Sequence, residues 1–222
     1  LGAIFRNPDL AKSLRLIADN GPTAFYKGQI AQAILATSQA LNGSMAAADL
    51  ADFQPEWVEP VSTTYRGWTV YELPPNGQGM AALEMLNIME LTPASPDGPL
   101  SVAELHKKIE AMKLAYADLD RYNADPRVAK VPVKGLISKD YARQRAKLID
   151  PAKANCDVMN GDPPTSDTTY LTAVDRDGNI VSLIQSNYSL FGSGITVRGM
   201  GFVLQNRGGL FSLDPASPNI LA

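Results

Sequence analysis

The sequence predicts an α+β fold, because helical patterns fill its first two thirds and strand patterns its last quarter. In residues 1–149, apolar side chains recur every three or four positions. Residues 150–167 contain three prolines and short polar side chains, which is typical of an exposed linker. From residue 168 onward, β-branched residues and turn sequences predominate. We therefore expect a mainly helical region 1–149, a linker 150–167 and a β-rich region 168–222.

Six helices are predicted in the first region. Glycine and proline at 21–22, and asparagine and glycine at 42–43, end the first two helices. Ser101 and Glu104 have the spacing of a capping box and begin the longest helix. We expect its buried side to lie on or near Leu105, Ile109, Met112, Leu114 and Tyr116. The predicted helices are 8–20, 29–41, 47–53, 80–91, 101–122 and 138–149.

Strands are predicted where β-branched and aromatic residues are frequent. Gly67 separates two such runs in the first region. In the last region, the Asp-Gly-Asn sequence at 177–179 predicts a hairpin turn between two longer strands. The predicted strands are 58–66, 68–73, 168–174, 180–187, 195–198 and 201–205.

Composition excludes several classes of function. The chain has 222 residues and a net charge of −3 without a basic run, so we expect no nucleic-acid partner. No stretch approaches the roughly 20 apolar residues of a membrane helix. Cys156 and His106 are the only residues of their kinds, so neither an internal disulfide nor a Cys/His metal site is expected. The sequence also lacks a phosphate-loop pattern, so we expect neither a metal nor a cofactor.

Neither end of the sequence has the features of a natural terminus. The chain begins at Leu1 without a methionine or signal segment, and it ends at Ala222 shortly after a Pro-Ala-Ser-Pro-Asn sequence. We therefore expect it to be an internal part of a longer protein. Its compartment and oligomeric state are left unassigned.

The pair Thr168 and Thr169 begins the first strand after the linker. A threonine here could attack the carbonyl of Asp167 and cleave the chain before itself. The released amine, with a pKa near ~7.7–8, could then serve as the base for its own hydroxyl without a histidine. A Ser-His-Asp triad could use only His106, which lies in a predicted helix. The alternative is an ordinary strand threonine, since threonine favours strands.

The wider pattern around this pair resembles the γ-glutamyltranspeptidase family. Four motifs follow one another after the linker: Asp-Thr-Thr-Tyr at 167–170, Val-Asp-Arg-Asp-Gly-Asn at 174–179, Phe-Gly-Ser-Gly at 191–194 and Gly-Phe-Val-Leu-Gln-Asn at 201–206. Earlier segments are also similar to that family, at 21–28, 49–53, 65–67, 73–75 and 135–141. The resemblance therefore spans nearly the whole chain, and the motifs are specific only in combination.

The resemblance implies an N-terminal-nucleophile (Ntn) hydrolase with an αββα sandwich, made as an inactive precursor and cut into large and small subunits. By position, Thr168 is the nucleophile and new N-terminus, and the cut falls between Asp167 and Thr168. Ser186 stands where the family usually has a threonine that hydrogen-bonds the nucleophile, and it keeps the hydroxyl. Asn206 falls on a substrate-side asparagine of the family.

Two departures concern the substrate. Tyr188 stands where these enzymes commonly carry an asparagine that binds the glutamyl α-carboxylate. Arg207 follows Asn206, where the resemblance implies an acidic pair for the glutamyl α-amino group. Loss of such a counter-charge typically removes ~1.5–3 kcal/mol of binding. Arg207 is either a surface residue or a group that recognises a carboxylate on an acyl group without an α-amino group.

This pattern is similar to the acylase-like branch of the family, which includes oxamate-amidohydrolase-like proteins. It implies amide hydrolysis or acyl transfer with a small acidic acyl group, with γ-glutamyl amides such as glutathione as the alternative substrates. The family's oxyanion glycines would lie beyond Ala222 and its carboxylate-binding arginine before Leu1, so this chain alone is expected to be inactive. The implied partners are a small-molecule amide and the rest of its own chain. The alternative is a degenerate, non-catalytic α+β binding module.

Overall fold

The computed structural model describes residues 2–156 and 168–221 and contains both helices and antiparallel hairpins. Its helices are α1 (Pro8–Asn20), α2 (Pro22–Tyr26), α3 (Gln29–Ala40), α4 (Ala47–Ala51), α5 (Gly79–Glu90), α6 (Val102–Tyr122), α7 (Val133–Leu136) and α8 (Lys139–Ala146). Its strands are β1 (Val61–Tyr65), β2 (Trp68–Glu72), β3 (Thr168–Val174) and β4 (Ile180–Ser186). The six predicted helices and four of the predicted strands are confirmed with small shifts of their ends. The short helices α2 and α7 were not predicted.

The described residues form two compact units. The first contains residues 2–56 and 168–209, and the second contains residues 57–156 and 210–221. Residues before and after the predicted linker therefore share the first unit. The predicted regions 1–149, 150–167 and 168–222 are instead based on the expected cleavage before Thr168. They correspond to a large-subunit part, a linker and a small-subunit part, and that division stays a prediction.

The core of the first unit joins α3 to the segment that follows β4. Ile30 and Ile34 are buried together with Val197 and Met200. The hydroxyl of Ser13 in α1 donates a hydrogen bond of 2.8 Å to the carbonyl of Met200. These contacts hold the segment after β4 against the helices near the beginning of the chain.

Gly201 is required where that segment meets the start of α1. Its φ is +72°, and a Cβ atom there would lie 2.3 Å from the backbone nitrogen of Leu10. Its carbonyl accepts a hydrogen bond of 2.7 Å from the side-chain amide of Asn7, the residue that also caps α1. Only glycine allows this backbone conformation and this close approach together.

Strands β3 and β4 form an antiparallel hairpin in the first unit. The register runs from Thr168 opposite Ser186 to Val174 opposite Ile180. The carboxylate of Asp175 accepts backbone hydrogen bonds from residues 177 and 179 in the turn. A side-chain hydrogen bond from Asn179 is the main reason that the pKa of Asp175 lies below its usual value. The turn therefore fixes the pairing of the two strands at the end away from Thr168.

The second unit is built around α5, which packs against α6, α8 and the β1–β2 hairpin. Met80 and Ala81 in α5 are buried with Ala115 and Leu119 of α6. The ammonium group of Lys139 donates hydrogen bonds of 2.6 Å to side chains of both Asn87 and Glu90 in α5. It also donates to the carbonyl of Thr64, so one side chain joins α8, α5 and β1.

The predicted buried side of α6 is partly wrong. Leu114 is buried, but Leu105, Ile109 and Met112 remain 41%, 49% and 42% exposed. The buried face of α6 consists of the small, apolar and charged residues Glu104, Glu110, Ala111, Leu114, Ala115, Asp118 and Leu119. Small alanines let the helices approach closely, so side-chain size did not indicate the packed face.

The predicted strands at 195–198 and 201–205 are also wrong. Within the described residues, this segment has a single bridge between Thr196 and Val203. Gly194, Gly199 and Gly201 all have positive φ angles, which interrupt extended backbone. The segment is therefore a tight loop held by a few backbone hydrogen bonds.

The predicted capping box forms only in part. The hydroxyl of Ser101 accepts a hydrogen bond from the backbone N–H of Glu104. The Glu104 carboxylate instead accepts from the backbone N–H of Ser95 and from Lys107. One half of the motif is thus replaced by contacts with the preceding loop.

In the part of the chain described here, every helix is too short or too polar to span a bilayer.

Candidate active site

The candidate active site lies in the first unit, where β3 begins and β4 ends. Thr168 is the first residue of β3 and pairs across the hairpin with Ser186, the last residue of β4. The backbone positions predicted for the nucleophile and its hydroxyl partner are therefore opposite each other. Asp167, the predicted residue before the cut, lies outside the described residues.

Ser186 joins the end of β4 to the turn that follows. Its hydroxyl oxygen accepts a hydrogen bond of 2.8 Å from the backbone N–H of Tyr188. Tyr188 has a φ of +81°, which is uncommon for a residue with a side chain. A short polar side chain thus closes a local turn of the kind that serine commonly forms.

Asn206 holds the same turn from a later segment of the chain. Its side-chain oxygen accepts a hydrogen bond of 3.1 Å from the backbone N–H of Ser189. Its own N–H donates one of 3.1 Å to the carbonyl of Asn187. Asn206 was predicted to lie on the substrate side, and its side-chain oxygen is engaged with this turn. Contact between Asn206 and substrate stays a prediction.

Arg207 lies against the aromatic ring of Tyr188. The central carbon of its guanidinium group is 5.4 Å from the ring centroid, which is a cation–π geometry. The backbone N–H of Arg207 donates to the side-chain oxygen of Gln205. The structure therefore brings Ser186, Tyr188, Asn206 and Arg207 together around one turn, and Ser186 pairs with Thr168 across the hairpin.

Gly192 and Ser193 support the turn and were not predicted as site residues. A Cβ atom on Gly192 would lie 2.4 Å from the carbonyl oxygen of Leu204, and its φ is +60°. The backbone N–H and the hydroxyl of Ser193 both donate to that same carbonyl at 2.8 Å. The Phe-Gly-Ser-Gly sequence was the signal, because glycine in such a motif often marks close backbone approach.

A second polar cluster, in the second unit, was missed entirely. Glu84 of α5, Asp118 of α6 and Arg145 of α8 form this buried cluster, in which the Nε atom of Arg145 lies 2.8 Å from an oxygen of Asp118. The Glu84 side chain is 2% exposed, with an oxygen 4.0 Å from the same nitrogen. Burial, together with a hydrogen bond to Asp118, raises the pKa of Glu84 to about 9. Asp118 follows Leu114 by one helical turn, which was the available signal.

Tyr141 completes the surroundings of this buried cluster. Burial and the Asp118 carboxylate raise the pKa of its hydroxyl. The Arg145 guanidinium lies 5.9 Å from its ring centroid. Two carboxyl groups thus share one guanidinium away from water, and a protonated Glu84 limits the buried negative charge.

His106, the one histidine, lies in the second unit. Its Nε2 atom is 2.8 Å from the backbone carbonyl of Asp150, which links α6 to the segment after α8. Among residues 2–156 and 168–221, no three or more His, Cys, Asp or Glu side chains lie close enough together to hold a metal ion.

Comparisons with known proteins extend over the whole chain. The family model for γ-glutamyltranspeptidase matches residues 1–222. The glutathione hydrolase-like YwrD proenzyme of Bacillus subtilis is 41% identical and is matched over 99% of this chain and 41% of its own length. The glutathione hydrolase proenzyme of Escherichia coli is 37% identical over 96% of this chain and 38% of its own length.

A solved structure gives the same result. The cephalosporin acylase of Bacillus halodurans superposes with a TM-score of 0.86 at 42% identity, covering all of this chain and 40% of the acylase chain. The chain belongs to the γ-glutamyltranspeptidase family. The resemblance seen in the motifs and the α+β fold of an Ntn hydrolase are both confirmed. The chain spans about two fifths of the length of these relatives.

Proposed function

We propose that the full-length protein is an autoprocessing amidohydrolase or acyltransferase with Thr168 as its N-terminal nucleophile. The observation that carries the proposal is the pairing of Thr168 with Ser186 at the open end of the β3–β4 hairpin. Membership of a family whose relatives are named proenzymes supports it. The described geometry gives no support to the alternative of a non-catalytic binding module.

Processing would begin at the peptide bond before Thr168. The hydroxyl oxygen of Thr168 attacks the carbonyl carbon of Asp167, the C–N bond breaks, and the hydroxyl proton goes to the nitrogen. Water hydrolyses the resulting ester, which releases the Asp167 carboxylate and restores the Thr168 hydroxyl. The freed amine then has a pKa near ~7.7–8 and is partly neutral at pH 7.

Substrate turnover would use the same hydroxyl a second time. The amine accepts the hydroxyl proton, the oxygen attacks the amide carbonyl, and the proton passes to the departing amine. Water then hydrolyses the acyl-enzyme, or a second amine takes the acyl group. Ser186, whose hydroxyl is fixed by the Tyr188 turn, would orient the nucleophile from the opposite strand.

The acyl group would be small and acidic. Arg207 is exposed beside the turn, and a guanidinium group binds carboxylates with paired hydrogen bonds. Asn206 and Tyr188 would complete the acyl-binding side of the site. The proposed partners are therefore a small amide of an acidic acyl group and the remainder of the same protein.

Turnover by the full-length protein tests this function. We expect hydrolysis of glutaryl-p-nitroanilide or of oxamate, abolished by Thr168→Ala and retained in the neighbouring control Thr169→Ala. Strong preference for γ-glutamyl-p-nitroanilide would contradict the substrate class but not the nucleophile. Full activity in Thr168→Ala would contradict the nucleophile itself.

A further inference from the structure

We propose that Tyr188 is a positioning residue for substrate specificity: the turn at 187–189 holds its ring against Arg207 and fixes that cation for a carboxylate on the acyl group. The ligand class is the monoamide of a dicarboxylic acid. This inference deepens the proposed function and rests on it.

The backbone of Tyr188 is held in an unfavourable conformation. Its φ of +81° lies in the left-handed region, which residues with side chains seldom adopt. The Ser186 hydroxyl fixes its N–H, and Asn206 binds the backbone on both sides of it. A glycine would adopt this turn more readily, so a tyrosine here indicates that the ring has a use.

The ring of Tyr188 gives Arg207 a defined place. The guanidinium carbon is 5.4 Å from the ring centroid, within the range of a cation–π contact. Gly208 and Gly209 follow Arg207 and add no side-chain packing of their own. The 3₁₀ turn at Arg207–Leu210 and the Gln205 contact restrain the backbone of Arg207, and the Tyr188 ring contacts its side chain.

Arg207 keeps its charge available to a ligand. The residue is exposed, and no carboxylate among the described residues forms an ion pair with it. Its guanidinium offers several N–H donors in a plane, which suits two oxygens of a carboxylate. An anionic acyl group would supply the missing partner.

The position of this pair relative to the nucleophile makes it selective for the acyl group. Tyr188 is two residues beyond Ser186, and Ser186 pairs with Thr168. The hydrogen bond from the Tyr188 N–H to the Ser186 hydroxyl closes this segment into a turn, so Tyr188 stays close to the strand position opposite Thr168. A carboxylate at the far end of a short dicarboxylic acyl group would reach Arg207 while its amide carbonyl lies at Thr168.

The test uses the full-length protein and two amides that differ only at the far end of the acyl chain. Glutaryl-p-nitroanilide carries a terminal carboxylate, and pentanoyl-p-nitroanilide has a methyl group in its place. For Arg207→Gln we expect kcat/KM for the glutaryl amide to fall about 10- to 100-fold, with the pentanoyl value roughly unchanged. The matched control is Arg176→Gln, an exposed arginine in the turn at the other end of the hairpin.

Variants of Tyr188 separate its ring from a purely structural role. Tyr188→Phe keeps the ring and should keep the wild-type ratio of glutaryl to pentanoyl turnover. Tyr188→Ala should raise KM for the glutaryl amide about two- to fivefold with little change in kcat. Arg207→Lys keeps the charge but loses the planar group, so an intermediate ratio is expected.

Each outcome decides the inference. If Arg207→Gln changes both substrates equally, or neither, the specificity role is overturned while the nucleophile stands. If the full-length protein is uncut and hydrolyses neither amide, the proposed function fails and this inference fails with it. Cleavage before Thr168 in each variant serves as the check that it has folded.

Discussion

The turn beside Thr168 and the buried cluster of Glu84, Asp118 and Arg145 hold polar side chains in two different ways. In the turn, the side chains of Ser186 and Asn206 bind backbone groups. Arg207 is exposed, and its guanidinium group lies beside the Tyr188 ring. In the buried cluster, charged side chains bind one another away from water.

This difference distinguishes a candidate ligand-binding site from a cluster that stabilises the fold. Polar groups that bind the backbone fix a loop and leave a nearby charge available to a ligand. Buried ionisable groups face one another and no ligand, so their loss should affect stability before activity. Substitutions in the two regions should therefore divide between folding and turnover.

The largest effect on stability is expected from Arg145→Met. The substitution leaves the two carboxyl groups of Glu84 and Asp118 without their cation, and breaking a buried pair typically costs about 3–5 kcal/mol. Urea unfolding of the full-length protein measures the loss. The control is Arg143→Met, whose pair with Asp140 is exposed and typically worth less than about 1 kcal/mol. Equal losses in both variants would contradict a special role for the buried cluster.

The pH dependence of stability should come next. Glu84 has its pKa raised from an ordinary 4.5 to about 9, mainly by burial. Between those values the folded protein binds up to one more proton than the unfolded chain. The free energy of unfolding therefore falls as pH rises, by up to about 1.4 kcal/mol per pH unit. This contribution is complete below pH 4.5 and is lost as pH rises through 9.

Glu84→Gln tests that dependence. An amide does not titrate, so urea unfolding at pH 6, 7 and 8 should show a shallower decline than in the wild type. Glu104→Gln is the control, because a hydrogen bond from Lys107 lowers the pKa of Glu104. Its contribution is lost only as pH falls through that lowered value, so the slope between pH 6 and 8 should be unchanged. Parallel curves for Glu84→Gln and the wild type would argue against a protonated Glu84.

The smallest effect on stability is expected from Ser186→Ala. The variant loses the acceptor for the Tyr188 N–H, which is typically worth about 0.5–1.5 kcal/mol. The turnover of glutaryl-p-nitroanilide should fall strongly even though the loss of stability is small, because the same hydroxyl would orient Thr168. Ser186→Thr keeps a hydroxyl and should restore turnover of glutaryl-p-nitroanilide. A loss of stability without any loss of turnover would assign Ser186 to the fold alone.

The sequence predicted six of the helices and both hairpins, but it missed α2 and α7 and wrongly predicted strands at 195–198 and 201–205. Glycine and proline marked helix ends, and the Asp-Gly-Asn turn fixed the register that pairs Thr168 with Ser186. The contacts of Tyr188 with Ser186 and Arg207 could not be predicted, because they depend on a positive φ angle at a tyrosine.

The buried faces were predicted less well than the elements themselves. Leu105 and Ile109 were expected on or near the buried face of α6, but Ala111, Ala115 and Asp118 occupy that face. Apolar size indicates burial only when no close helix contact requires a small residue. The buried Asp118 of α6 pairs with Arg145 of another helix, α8. Helical spacing within α6 could not identify that partner.

The mass of the full-length protein after purification tests the central claim most directly. We expect two fragments, the second beginning at Thr168, and a single uncut chain for Thr168→Ala. Thr169→Ala should be cut like the wild type. A chain cut at another bond, or the same cut in Thr168→Ala, would contradict the assignment of Thr168 as the nucleophile.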